Sequence, residues 1–148
     1  MKILFIDDET FYMQPYVDDL EEKEADVLKI TNAVDGIREI RDNMESNQFD
    51  CMILDVMMSP PDGWGARTSN GLFTGVEVLK ECQNEVIAVE LPVLLLTNQK
   101  LEDVKARIDL LKFPKDLVRV HAKLQTRPFF ATGIVIELVE KWKRNNNP

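Results

Sequence analysis

The sequence predicts an α/β fold, a parallel sheet covered by helices on both faces, and three observations carry that expectation. Short, almost wholly apolar runs recur along the chain, each is followed by apolar residues at helical spacing, and the order is strand then helix, five times. Strands buried on both faces read as unbroken apolar runs, and right-handed crossovers place the intervening helices on the two faces of the sheet. The chain has 148 residues, 45% of them hydrophobic and 30% charged, which suits one domain spanning 1–148. Domains of this size bury roughly 70% of the surface their unfolded chains expose, so Cys51 and Cys82 are expected as buried thiols rather than as a staple.

The first strand is Lys2 to Ile6, which stops at Asp7 and Asp8. Met13, Val17 and Leu20 then mark a helix in which Pro15 fits only near the start, and the acidic stretch Asp18 to Glu24 is expected to be solvated. Val27 to Ile30 is the second strand, followed by a helix on Ile37, Ile40 and Met44 that ends around Ser46 and Asn47. Cys51 to Val56 is the third strand, apolar except for Asp55. Leu72, Val76, Leu79, Cys82 and Val86 keep one face of a third helix, and Pro92 to Leu96 form a fourth strand that ends at Thr97. Leu101, Val104, Ile108 and Leu111 stripe a fourth helix. Leu117 to Ala122 is a fifth strand ending at Lys123, and Ile134, Leu138 and Trp142 stripe the last helix, with Trp142 as its anchor.

Composition narrows the chemistry. Lysine and arginine number 18 against 26 aspartates and glutamates, a net charge of -8, which argues against direct contact with a phosphate backbone. No apolar run approaches the roughly 20 residues of a membrane span, and the N-terminus lacks a signal-peptide pattern, so a cytoplasmic protein is expected. Two distant cysteines and one histidine exclude zinc-finger, Cys-x-x-Cys and His-rich metal sites. His121, within the fifth strand, reads as a core or rim residue, and Met57 and Met58 read as packing.

In open parallel sheets the ligand site lies beyond the carboxyl ends of the strands, where the winding direction reverses. That rule selects Asp7 and Asp8, Asp55, Thr97 and Lys123, which end the first, third, fourth and fifth strands. Clustered carboxylates survive by taking up protons or binding a cation, and magnesium suits hard oxygen ligands that bridge to a phosphate oxygen. Lys123 adds a point charge and Thr97 a hydroxyl, both suited to phosphoryl oxygens. The set describes phosphoryl transfer to a carboxylate.

With KILFIDDE at Lys2 to Glu9, Asp55 after CMIL, Thr97 after PVLLL and Lys123 after RVHA, the chain resembles the receiver domains of two-component response regulators over almost its whole length. The resemblance implies a flavodoxin-like sheet of order 2-1-3-4-5. It implies Asp55 as phosphoacceptor, Asp8 as a direct magnesium ligand, Asp7 as a ligand through water and the Met57 carbonyl as a further ligand. Thr97 and Lys123 would contact the phosphoryl oxygens.

The sequence also departs from that pattern. The proline that receivers carry four residues after the phosphoacceptor comes one place late, as Pro60, and Gly75 best matches the glycine that follows it, which implies an insertion of about a dozen residues in a loop at about 57–74. Asn98 stands where a small residue usually follows the threonine, Val120 stands at the aromatic switch position, and the proline after the lysine is displaced to Pro128.

The function expected from all this is a stand-alone, non-enzymatic receiver with no attached output domain. A histidine kinase or phosphotransfer protein would phosphorylate it on Asp55, and it would act by binding a downstream protein. The inserted loop, with Trp64 as an apolar contact, would be a lid or a partner-selecting surface. A receiver-like binding module independent of phosphate is the alternative, motivated by Asn98 and Val120. A magnesium-dependent phosphatase of the haloacid dehalogenase type stands third, because its two aspartates are separated by one residue whereas Asp7 and Asp8 are adjacent.

Overall fold

A computed structural model describes residues 1–146. The elements are β1 (Lys2–Ile6), α1 (Thr10–Glu22), β2 (Asp26–Ile30), α2 (Ala33–Ser46), β3 (Cys51–Asp55), α3 (Thr74–Glu81), α4 (Gln83–Ala88), β4 (Val93–Thr97), α5 (Leu101–Leu111), β5 (Val118–Ala122) and α6 (Pro128–Asn146), with a 3₁₀ turn at Lys123–Gln125. The five strands are all parallel in the order β2-β1-β3-β4-β5, as expected from the sequence. The winding direction reverses between β1 and β3, so the carboxyl ends of those two strands flank the crevice that such sheets use for ligands.

The three inner strands show why their runs are so apolar. Ile3 to Ile6, Cys51 to Leu54 and Val93 to Leu96 are essentially sealed from solvent, with helices packed over both faces of the sheet. α1 packs against α6, while α2 packs on α3 and α4 and α3 meets α5. The edge strands β2 and β5 are only half covered, as edges of such sheets are.

Several local expectations need correction. The expected third helix is two, since Cys82 leaves helical geometry at φ -104° and ψ 17°, where the neighbouring Gln83 side chain donates to the carbonyl of Leu111 at the end of α5. Leu72 lies in the turn before α3 and is exposed rather than on its buried face, and Met44 is exposed on α2. The buried position near the end of α2 is taken by Asn43, whose Oδ1 accepts the backbone N–H groups of Gln48 (2.7 Å) and Phe49 (3.0 Å). A polar residue serves there because the chain must turn sharply into β3, with Asn47 left-handed at φ 46°. Pro15 lies inside α1 rather than at its start, on the solvent face, where water can reach the carbonyl that its missing N–H leaves free.

The long connection after β3 is built from turns with their own hydrogen bonds. The buried Thr68 hydroxyl donates to Trp64 O (2.7 Å) and accepts from Gly71 N–H (3.0 Å), and Thr74 Oγ1 donates to Met58 O (2.6 Å). Arg67 pairs with Glu77 and Glu81 at 2.9 Å each while its guanidinium stacks 3.8 Å from the Trp64 ring. Trp64 is therefore half buried, packed against the core with Arg67 over its ring.

Gly75 sets how closely α3 approaches the sheet. Its N–H donates to Val56 O (2.9 Å), and a Cβ there would collide with the Asp55 carbonyl oxygen and the Val56 Cα, both backbone atoms that cannot move aside cheaply. Gly75→Ala is therefore expected to lower unfolding free energy by about 2–3 kcal/mol, read from urea denaturation, because the clash is with the strand itself. A change within experimental error would mean that α3 does not close on β3 at this point.

Candidate functional site

The chain end of β1 is locked before it reaches the site. Asp7 N–H continues the ladder by donating to Ile30 O (3.1 Å), and Asp7 Oδ1 accepts the Glu9 N–H (2.9 Å), which turns the chain into α1. Its other oxygen, Oδ2, accepts from Lys123 Nζ at 2.9 Å. Asp8 Oδ2 accepts the Ser59 N–H (2.9 Å), so the connection after β3 reaches back across the crevice. Asp55 closes β3 and is 3% exposed, with Lys123 Nζ 3.5 Å from its Oδ2.

Each of Asp7, Asp8 and Asp55 offers a carboxylate oxygen within 4.8 Å of the others. Burial, and then the charge of Asp7, pushes the Asp55 carboxyl up to about 8, with Lys123 pulling the other way. Burial also works against the Lys123 charge, but Asp55 and Asp7 outweigh it and hold its pKa above that of a free lysine. One lysine against three carboxylates leaves net negative charge in a largely closed space. A hard cation that takes oxygen ligands fits that donor set, three carboxylates converging at one point.

The other expected residues fall at the same edge of the sheet. Thr97 is buried at the end of β4, one residue beyond the Asp55–Leu96 register pair, and its Oγ1 accepts the Gln99 N–H (2.8 Å). Met57 lies in the bend directly after β3, and Asn98 is exposed beside Thr97. Val120 is buried in mid β5. His121 is half buried with its pKa lowered by burial and by Arg119 and Lys105, in keeping with a rim residue.

Lys123 is held without a proline after it. Thr126 Oγ1 donates to Ala122 O (2.8 Å), Thr126 N–H donates to Lys123 O (3.3 Å), and the Tyr16 hydroxyl donates to Thr126 O (2.8 Å) across from α1. Tyr16 in turn packs edge-on against Phe5, their centroids 6.1 Å apart. Tyr12 places its ring 5.3 Å from Lys123 Nζ. Neither tyrosine was expected at the site; Tyr16 lies beside the Met13, Val17 and Leu20 stripe of α1 without being singled out by it, and Tyr12 carries no spacing signal.

No family model matches the chain, and no curated protein sequence matches it well enough to count as a relative. Solved structures do match. A response regulator receiver domain from Clostridium thermocellum shares 22% identity over 96% of each chain with a TM-score of 0.70. A receiver domain protein from Methanospirillum hungatei shares 15% identity over 97% of each chain at 0.70, and the signal receiver domain of a modulated diguanylate cyclase from Desulfovibrio desulfuricans 17% over 97% of each at 0.68. The chain has the receiver-domain fold.

The raised Asp55 pKa carries a pH dependence. The folded state holds a proton between the free aspartate value of 3.8 and about 8, so Asp55 contributes stability at low pH that is lost as pH rises through about 8. Without divalent cations, the wild type should lose stability between about pH 4 and about pH 8, and Asp55→Asn, which resembles the neutral acid, should lose distinctly less. Parallel thermal melts of the two proteins provide the check; identical pH profiles would mean that Asp55 is not held protonated.

Proposed function

We propose that the chain is a phosphoacceptor receiver of a two-component system or phosphorelay, taking a phosphoryl group on Asp55 and signalling through a protein partner. The observation that carries this reading is the buried Asp7–Asp8–Asp55 cluster with Lys123 bridging two of its members, placed at the switch point of a receiver-fold sheet. In the transfer, an Asp55 carboxylate oxygen attacks phosphorus, the bond from phosphorus to the donor's imidazole nitrogen breaks, and the nitrogen regains its electron pair. Magnesium, when bound, neutralises charge on the transferring oxygens.

The chain's own residues do the rest. Asp8 and Asp55 would hold the metal directly, Asp7 through water, and the Met57 carbonyl would complete the protein's share. Lys123 is positioned by Asp7 to meet a phosphoryl oxygen, and the Thr97 hydroxyl would meet another. The phosphodonor would be a histidine kinase or phosphotransfer protein, the downstream target another protein, and the setting the cytoplasm. Among the described residues no helix is long and apolar enough to cross a membrane. The chain would catalyse only its own phosphorylation and dephosphorylation.

A receiver-like module that binds its partner without phosphate is the second reading, favoured by Val120 where an aromatic switch would stand. Incubation with magnesium and acetyl phosphate separates the two. Intact mass should show one phosphoryl adduct, stable in acid and labile in alkali, that is absent from Asp55→Asn. Lys123→Ala should still be modified but fail to transmit the change. An adduct that persists in Asp55→Asn contradicts the assignment, and its absence from the wild type favours the module.

The output surface gives a further expectation. Thr97 and Lys123 end the strands on either side of α5, so drawing both toward a phosphoryl group biases the packing of that helix. Beryllofluoride with magnesium should therefore shift backbone NMR signals across α5, β5 and α6. Shifts confined to the neighbourhood of Asp55 would instead describe a phosphate sink without an output surface.

A further inference from the structure

Lys123 carries its charge into a buried site on a flexible four-carbon stem, so the place of its Nζ depends on what holds the backbone at one end and the ammonium at the other. The 3₁₀ turn that bears it exposes Leu124 and Gln125, and the chain is tied down again at the buried Thr126. Thr126 donates from Oγ1 to the Ala122 carbonyl and from its N–H to the Lys123 carbonyl, while its own carbonyl accepts the Tyr16 hydroxyl of α1 at 2.8 Å. Tyr12 lies one turn earlier on the same side of α1, and its ring stands 5.3 Å from Lys123 Nζ. The core calls for neither group. Tyr12 is 54% exposed, and a phenylalanine at position 16 would pack on Phe5 equally well without reaching Thr126.

We propose that Tyr12 and Tyr16 are positioning residues for phosphoryl transfer, gripping Lys123 at its ammonium and, through Thr126, at its backbone. The inference rests on the phosphoacceptor reading of Asp55. In the resting site Asp7 and Asp55 hold the ammonium themselves, at 2.9 Å and 3.5 Å. Once Asp55 carries a phosphoryl group, its esterified oxygen no longer bears the charge that attracted Lys123, and the ammonium has to meet a phosphoryl oxygen instead. The grip from α1 contains no carboxylate and is untouched by that exchange, so it counts for most when the phosphoryl group is in place. Burial keeps the Tyr16 pKa above that of a free tyrosine, and the hydroxyl therefore retains the proton that it donates to Thr126. Tyr16 also supplies what the chain lacks next to the lysine, where Leu124 stands in place of a rigid proline.

Titration of the full chain with beryllofluoride in the presence of magnesium, followed by NMR, tests it. Tyr16→Phe and Tyr12→Leu should each weaken binding about fivefold, the worth of one ordinary polar contact. In a Lys123→Ala background neither substitution should weaken it further, because both act through that lysine, whereas a merely structural contribution would cost the same in either background. The grip is also read without any phosphate mimic: the resting wild type should show a resolved Lys123 ammonium nitrogen signal, and each substitution should broaden it as the ammonium gains freedom. Equal affinities in the wild type and both variants, or equal losses with and without Lys123, overturn the proposal. A wild type whose ammonium signal responds to the substitutions but which takes up no beryllofluoride contradicts the phosphoacceptor reading of Asp55 instead.

Discussion

Carboxylates enclosed at the end of a parallel sheet and bridged by one ammonium group are the constraint on which the rest of this structure turns. Removing ions from water costs several kcal/mol per charge even after relaxation, and Lys123, at 2.9 Å from Asp7 and 3.5 Å from Asp55, offsets only part of that cost. The remainder leaves Asp55 holding its proton to about pH 8 until something positive takes the proton's place. A site in that condition suits a hard cation, and under the proposed function such a cation would let a phosphoryl group approach so much negative charge.

The architecture supplies the constraint cheaply. Parallel order sets β1 beside β3 and β3 beside β4, so Asp7, Asp8, Asp55 and Thr97 arrive at one edge as strand ends rather than through long loops. Gly75 lets α3 close on the Asp55 backbone, and the Tyr16–Thr126 hydrogen bond ties the segment after Lys123 to α1. These contacts hold Lys123 in place beside Asp7 and Asp55.

Much of this was legible in residue order because the inner strands, buried on both faces, leave unbroken apolar runs that polar residues bring to an end. Asp7, Asp8, Asp55 and Thr97 stand out by that rule, whereas Lys123 carries the weakest signal because β5 holds Arg119 and His121 within it. Contacts made by residues that look ordinary in sequence were not legible. Asn43 sits where an apolar stripe expects a hydrophobe, because two backbone N–H groups need an acceptor there. Cys82 keeps the apolar pattern of the third helix while its backbone departs from helical geometry, so periodicity could not reveal the break between α3 and α4. Arg67 caps the Trp64 ring while pairing with Glu77 and Glu81, an arrangement set by tertiary contact that the sequence does not signal.

The acidic cluster at the strand ends, rather than the longer acidic run Asp18 to Glu24, is the proposed site for a divalent cation. Paramagnetic broadening by substoichiometric manganese, which takes the same oxygen ligands as magnesium, tests it most directly. Backbone signals of Asp8, Asp55 and Ser59 should broaden first, and excess magnesium should restore them. Broadening centred on Asp18 to Glu24, or spread over the acidic surface without a centre, would contradict it.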